Sequence, residues 1–187
     1  MTDATMMDFP LTTQMILRRG AQLFPQSMVS TFDGDALQSR TFREIAERAA
    51  RLANALLTLG IQPGERVGTL CWNSNAHLEA YLAVPATGRV LHTLNPRLFP
   101  DQIAWIANHA DDRAILVDSD LLELLCSFAA DIKSLRHVIV IDGDGRSALA
   151  GTGIAVHSLD DLLTESPPLE AWPELDERSP AVMCYTS

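Results

Sequence analysis

Lysine is almost missing from this chain: Lys133 is the sole lysine among 14 basic residues, the others being arginine, and 24 acids bring the formal net charge to −10. No Lys/Arg cluster occurs, so the chain lacks the basic footprint that non-specific nucleic-acid binding or docking on anionic lipid requires. Cysteine is scarce as well. Cys71, Cys126 and Cys184 are far apart, with no CxxC or Cys/His ligand spacing, which argues against a zinc site. Each lies in an apolar stretch and is expected to be a small buried hydrophobe in a reducing compartment. No apolar run approaches the ~18 residues of a membrane span. The segment Met1–Pro10 carries Asp3 and Asp8 and lacks the basic and apolar regions of a secretory signal, so a cytoplasmic protein is the default expectation. GxSxG, Walker A and GxGxxG motifs are all absent, as are internal repeats.

What is present is globular: 47% hydrophobic and 20% charged residues. Thr12–Phe24 predicts a short helix ended by Pro25, followed by a strand at Met28–Phe32, an Asp33-Gly34 turn and a returning strand at Ala36–Arg40. Thr41 and Glu44 form a capping box. The helix they open places Phe42, Ile45, Ala46, Ala49, Leu52, Ala53, Leu56 and Leu59 on one stripe, and Gly60 stops it. Beyond it the pattern predicts strands at 66–72, 90–94, 114–117 and 137–141. Helices at 76–87, 101–109 and 121–130 separate them, Pro85 kinking the end of the first. This alternation implies an α/β fold with a mostly parallel sheet and helices on both faces. The strand segments are continuous apolar runs, as expected for strands buried on both sides.

Residues 1–40 are thus an N-terminal helix and hairpin, and 41–142 an alternating α/β core. Residues 143–180 form an acidic, loop-rich connection with a short helix near Leu159–Leu163, and Ala181–Tyr185 is a buried strand running into Thr186-Ser187. A core-type strand without an outgoing connection is expected of an incomplete domain.

Five segments in order carry a family resemblance: Thr41-Phe42-Arg43-Glu44, Gly60 through Val67, Trp72-Asn73-Ser74, Leu94-Asn95-Pro96-Arg97-Leu98, and Met183-Cys184-Tyr185-Thr186-Ser187. Together they resemble the adenylate-forming superfamily of acyl-CoA synthetases, peptide-synthetase adenylation domains and luciferases, across essentially the whole chain. The run His92–Leu98 looks most like the fatty acyl-CoA ligase branch. The resemblance implies an incomplete piece of the large N-terminal domain, cut where a phosphate loop begins. It implies a longer parent that uses ATP, Mg²⁺ and coenzyme A to convert a medium- or long-chain fatty acid, or a related carboxylate, to a thioester. By the same resemblance Thr186 lies near Mg²⁺ and the terminal phosphates, and Ser187 opens the loop. Homodimers occur in the family, and these residues leave that open.

No catalytic residue is assigned within 1–187. Two hydroxyls alone do not make a phosphate cradle, which needs several converging donors. Asn73, Ser74 and Asn75 read as an N-cap, with a pocket-rim role as the alternative. Asn95-Pro96 reads as a turn and His92 as a half-buried structural histidine. His77, His109, His137 and His157 have no acid or second ligand at telling spacing, and Asp142-Gly-Asp-Gly is too short for a calcium loop. Two other functions stay open: a non-catalytic α/β binding protein, and an acyl-AMP ligase or adenylation domain with a different acceptor. A parallel sheet lacking covering layers exposes apolar surface and strand edges. The isolated chain is therefore expected to be marginally soluble; a monodisperse monomer with sharp two-state unfolding would contradict this.

Overall fold

The computed structural model describes residues 9–32 and 34–185. Helix α1 (Thr13–Leu23) precedes an antiparallel hairpin of β1 (Met28–Phe32) and β2 (Leu37–Thr41), in which Phe32 faces Leu37. Gly34 of the expected turn has φ +107°, while Asp33 lies outside the described residues. Helix α2 (Phe42–Thr58) starts as its sequence dictates. The Thr41 hydroxyl accepts from the Glu44 amide at 3.2 Å and the Glu44 carboxylate accepts from the Thr41 amide at 2.7 Å. Gly60, at φ +77°, ends it.

The rest is one six-stranded sheet: β3 (Arg66–Leu70), β4 (Val90–Thr93), β5 (Asp112–Asp118), β6 (His137–Ile141), β7 (Ala155–Ser158) and β8 (Val182–Cys184). The order is β7-β6-β5-β3-β4-β8 and every neighbouring pair is parallel. Helices α2, α3 (Asn75–Ala86) and α6 (Leu159–Glu165) pack one face through Leu52, Leu56, Ala80, Ala83 and Leu159. Helices α4 (Pro100–Ala110) and α5 (Leu122–Cys126) cover the other through Ile103, Ala107 and Leu125. This is the expected α/β architecture with helices on both faces.

Several expectations are corrected. The helix foreseen over Leu121–Ala130 is broken into a 3₁₀ turn at Ser119–Leu121, the short α5, and a second 3₁₀ turn at Ala129–Asp131. The Ser127 hydroxyl donates to the Leu124 carbonyl at 2.7 Å, and Phe128 turns into the core at φ −139°, ψ −3°, so the helical ladder cannot continue. Strand β7 lies inside the stretch expected to be loop-rich; it is short and half-exposed because it pairs with β6 alone. Strand β8 is not buried: it pairs only with β4, and Val182 is 44% exposed. Cys184 is accordingly exposed and Cys126 partly so, leaving Cys71 as the buried thiol of the three.

The β6–β7 edge carries a histidine pair. His137 Nδ1 and His157 Nε2 are 3.1 Å apart. Burial lowers both pKa values, with further repulsion on His137 from His157 and Arg136 and on His157 from Arg146. A shared proton needs one neutral ring as acceptor, and a doubly protonated pair has none. Because the folded pKa values lie below the ordinary histidine value of about 6.5, the stabilisation is complete above that pH and is lost as pH falls through the lowered values. Urea unfolding between about pH 7 and pH 5 should show stability declining, with β7 amides exchanging first, and H157N should flatten the decline; an unchanged slope in H157N would contradict the assignment.

Candidate functional site

Parallel pairing brings the carboxyl ends of all six strands to one edge, where ligands collect in open α/β sheets. Thr186 and Ser187, which follow β8 in sequence, lie outside the described residues, and so do their expected phosphate and Mg²⁺ contacts. Tyr185 is the last described residue. Since β8 pairs with β4 through Thr93↔Cys184, its carboxyl end sits beside the Leu94–Pro96 turn. Asn95 builds that turn: its Oδ1 accepts from the Arg97 amide at 3.0 Å. Asn95, Leu98, Asp101, Gln102, Trp105 and Tyr185 then line a groove of about 820 Å³ against α4. A second cleft, of about 950 Å³, lies between α1 and residues 172–175 and contains no strand carboxyl end.

Beneath the groove is a buried pair that the residue pattern did not reveal. His92 was expected to be half-buried; its exposure is 0%, as is that of Asp112. His92 Nδ1 lies 2.9 Å from both Asp112 carboxylate oxygens. The two belong to β4 and β5, which are separated by β3, and Gly68 opposite His92 gives them room to meet. A Cβ there would stand 3.1 Å from Asp112 Oδ2 and 3.0 Å from Ile115 Cγ1. Asp112 arrives at this depth because α4 ends on Asp111 in the left-handed region, φ 61°, which turns the chain inward. Burial raises the Asp112 pKa, and the hydrogen bond and charge of His92 oppose that rise. In sequence Asp112 sits in an Asp-Asp-Arg run that reads as solvated, so only the short spacer after the preceding helix could have flagged it.

Aromatic rings join this pair to the groove. Tyr185 packs on His92 with centroids 5.3 Å apart. Its hydroxyl lies 2.5 Å from His109 Nδ1, and His109 stacks on Trp105 at 5.0 Å and 12°. Two histidines that looked isolated in sequence thus converge on one tyrosine.

At the end of β3 most polar groups are spent on structure, although Asn73, Ser74 and Asn75 also rim a small pocket and Asn75 Oδ1 has no partner among the described residues. Ser74 caps α3 by accepting from the His77 amide at 3.2 Å, as expected. Asn75 donates to Thr31 and to the Gln38 carbonyl, tying down the hairpin. The Trp72 amide and indole donate to Asp118 at 2.6 Å and Asp120 at 3.0 Å. His77, its pKa lowered by burial, bridges Thr69 and the Trp72 carbonyl. Among the described residues no three His, Cys, Asp or Glu side chains converge to hold a metal ion. No described helix is long and apolar enough to cross a membrane.

Fold and edge together define an open parallel α/β scaffold with helices on both faces, a class in which ligands collect at the carboxyl edge of the sheet. Residues 17–187 match the family model described as "AMP-binding enzyme", and the chain belongs to that family. It is 44% identical over 140 residues to a long-chain-fatty-acid–CoA ligase of Thermus thermophilus, covering 74% of this chain and 26% of that enzyme. It is 35% identical over 183 residues to a 3-methylmercaptopropionyl-CoA ligase of Ruegeria lacuscaerulensis, covering 97% of this chain and 34% of that enzyme. Among solved structures, the anthranilate CoA ligase AuaEII in complex with anthranoyl-AMP superposes with a TM-score of 0.83 at 23% identity, over 97% of this chain and 33% of that one. The chain therefore spans about a third or less of the length of these relatives.

Removing one member of a buried charge-assisted pair strands the other. D112A should cost about 3 kcal/mol of unfolding free energy in urea titrations, whereas D144A, at the exposed Arg146 pair, should cost less than about 1 kcal/mol. Equal effects would show that the His92–Asp112 contact is not stabilising.

Proposed function

We propose that this chain is the front part of the N-terminal domain of an AMP-forming acid–thiol ligase acting on a medium- or long-chain fatty acid. The observation that carries this is the family match over residues 17–187, on a sheet whose β8 leads towards Thr186 and Ser187. In the proposed reaction the carboxylate attacks the α-phosphate of ATP, giving an acyl-adenylate and pyrophosphate. The thiol of coenzyme A then displaces AMP to form the thioester. Thr186 would offer a hydroxyl oxygen to Mg²⁺ and the phosphates, and Ser187 would open the loop that cradles them. Mg²⁺, when bound, would neutralise charge developing on the phosphates. The domain boundaries follow the same proposal: 1–40 as helix and hairpin, 41–142 as α/β core, 143–180 as connection, and 181–187 as the strand into the loop.

The relative named for 3-methylmercaptopropionyl-CoA favours a second reading, a short thioether carboxylate as substrate, because that similarity spans 97% of this chain. Both are tested by expressing the longer gene product and measuring AMP and thioester formation with ATP, coenzyme A and acids of graded chain length. A kcat/KM highest for fatty acids is expected. A maximum at the short thioether acid would select the second reading, and AMP without thioester would point to a different acceptor. The 187-residue chain assayed beside it should give no ATP–pyrophosphate exchange, and measurable exchange would overturn that expectation.

A further inference from the structure

The buried His92–Asp112 pair is more than a packing detail, because of what rests on it. His92 is 0% exposed, and among the described residues its Nε2 has no hydrogen-bond partner. A buried polar nitrogen without a partner carries a desolvation cost of about 1–3 kcal/mol. An apolar side chain at the same place would avoid that cost. Asp112 fixes one edge of the imidazole through Nδ1, and the ring lies against Tyr185. Tyr185 has a second tether, its hydroxyl to His109 on α4. Strand β8, to which Tyr185 is attached, is otherwise held by pairing to β4 over the three residue pairs from Leu91↔Val182 to Thr93↔Cys184 and by the 3.0 Å contact of the Thr93 hydroxyl with the Cys184 thiol. So short an edge strand, exposed at Val182 and Cys184, is weakly located by its own burial. The ring contact with an imidazole locked in the core supplies what the strand lacks.

We propose that His92, fixed by Asp112 across Gly68, is a positioning residue that seats Tyr185 and thereby sets where the chain leaves β8 towards Thr186 and Ser187. In the ligase proposed above, on which this part of the inference rests, misplacing that departure point weakens nucleotide contact without touching it. Gly68 belongs to the same unit. G68A puts a methyl group 3.0–3.1 Å from Ile115 and Asp112, closer than ordinary van der Waals contact, and so presses on the pair.

The chain has two tyrosines, Tyr81 and Tyr185, which makes the ring easy to observe. D112N retains an acceptor for His92 but not its charge, and neither D112N nor G68A alters any atom of Tyr185 or His109. With ¹³C-labelled tyrosine in the 187-residue chain, both variants should shift the Tyr185 ring signals and leave those of Tyr81 in place. Tyr185 signals unchanged in folded variants would overturn the proposal, whatever the activity of the longer protein. In that longer protein both variants should raise KM for ATP by on the order of tenfold, with KM for the acid and for coenzyme A unchanged. H157N, at the remote β7 edge, serves as the control. A variant that loses thermal stability but keeps the wild-type KM for ATP would show a purely structural pair and would also overturn the proposal. If the longer wild-type protein forms no adenylate, the ligase proposal fails instead, and the tyrosine signals still decide whether His92 seats Tyr185.

Discussion

Gly68 sits where the sheet leaves little room for a side chain: a Cβ would meet Ile115 at 3.0 Å and Asp112 at 3.1 Å. It is in the middle of β3, the strand from which the order diverges: β4 and β8 lie to one side, β5, β6 and β7 to the other. Every residue of β3 after Arg66 is buried, as parallel strands covered on both faces must be. On the α4 face the space above Gly68 is filled by the meeting of His92 and Asp112, flanked by Ile115 and Leu94. The cost of a glycine in a strand interior, roughly 0.5–1 kcal/mol against alanine, is offset by admitting a charge-assisted hydrogen bond into the core. Two strands that are not neighbours are thereby linked across a third.

The opposite face solves a similar problem with a carboxylate from a helix. Glu79 of α3 is 1% exposed and sits between Arg48 of α2, at 2.8 Å, and Arg40 of β2, at 3.6 Å. Arg48 also reaches Asp160 of α6 at 3.5 Å. Burial raises the pKa of Glu79, and the two arginines pull it back. Such networks contribute modest net stability because desolvation consumes most of the Coulomb gain, but removing one member leaves a stranded charge. Here the network fixes the hairpin against the α2–α3 layer, with which it shares few large apolar contacts: Met28, Phe32 and Leu37 of the hairpin are all exposed.

How much of this was legible in the sequence follows from the range of the physics involved. The Thr41–Glu44 capping box, Gly60 as a stop and the apolar stripe of α2 depend on residues within a few positions of one another, and each was recovered to within a residue or two. The apolar runs at Val67, Ile115 and Val138 announced strands buried on both faces. What failed depended on the third dimension. The Leu121–Ala130 segment has helical periodicity, but Ser127 back-bonds and Phe128 is drawn into the core, a tertiary override of local propensity. Strand β8 is apolar yet exposed, because burial depends on which strand flanks it and not on its composition. His92 and Asp112 are 20 residues apart, and no spacing rule connects a strand centre to the first residue of the next strand but one in the sheet. The contacts of Tyr185 with His109 and His92 are likewise remote in sequence.

The placement of chemistry follows from the connections. The link after β3 leads to α3 on one face, while those after β4 and β5 lead to α4 and α5 on the other. The chain therefore parts at the carboxyl end of β3 and leaves an open crevice there. Yet most of the polar groups at that crevice are engaged with one another: Trp72 with Asp118 and Asp120, His77 with Thr69, Ser74 with the α3 amide, Asn75 Oδ1 being the buried exception. Groups so committed make a rigid floor and are poor candidates for contacting a ligand. The Tyr185 and Asn95 side of the edge differs. There the groove is open, its walls are aromatic and amide side chains, and the strand that feeds it is held by a core imidazole and not by its own burial. The carboxyl edge is thus knit by side-chain hydrogen bonds beside β3 and left open beside β8.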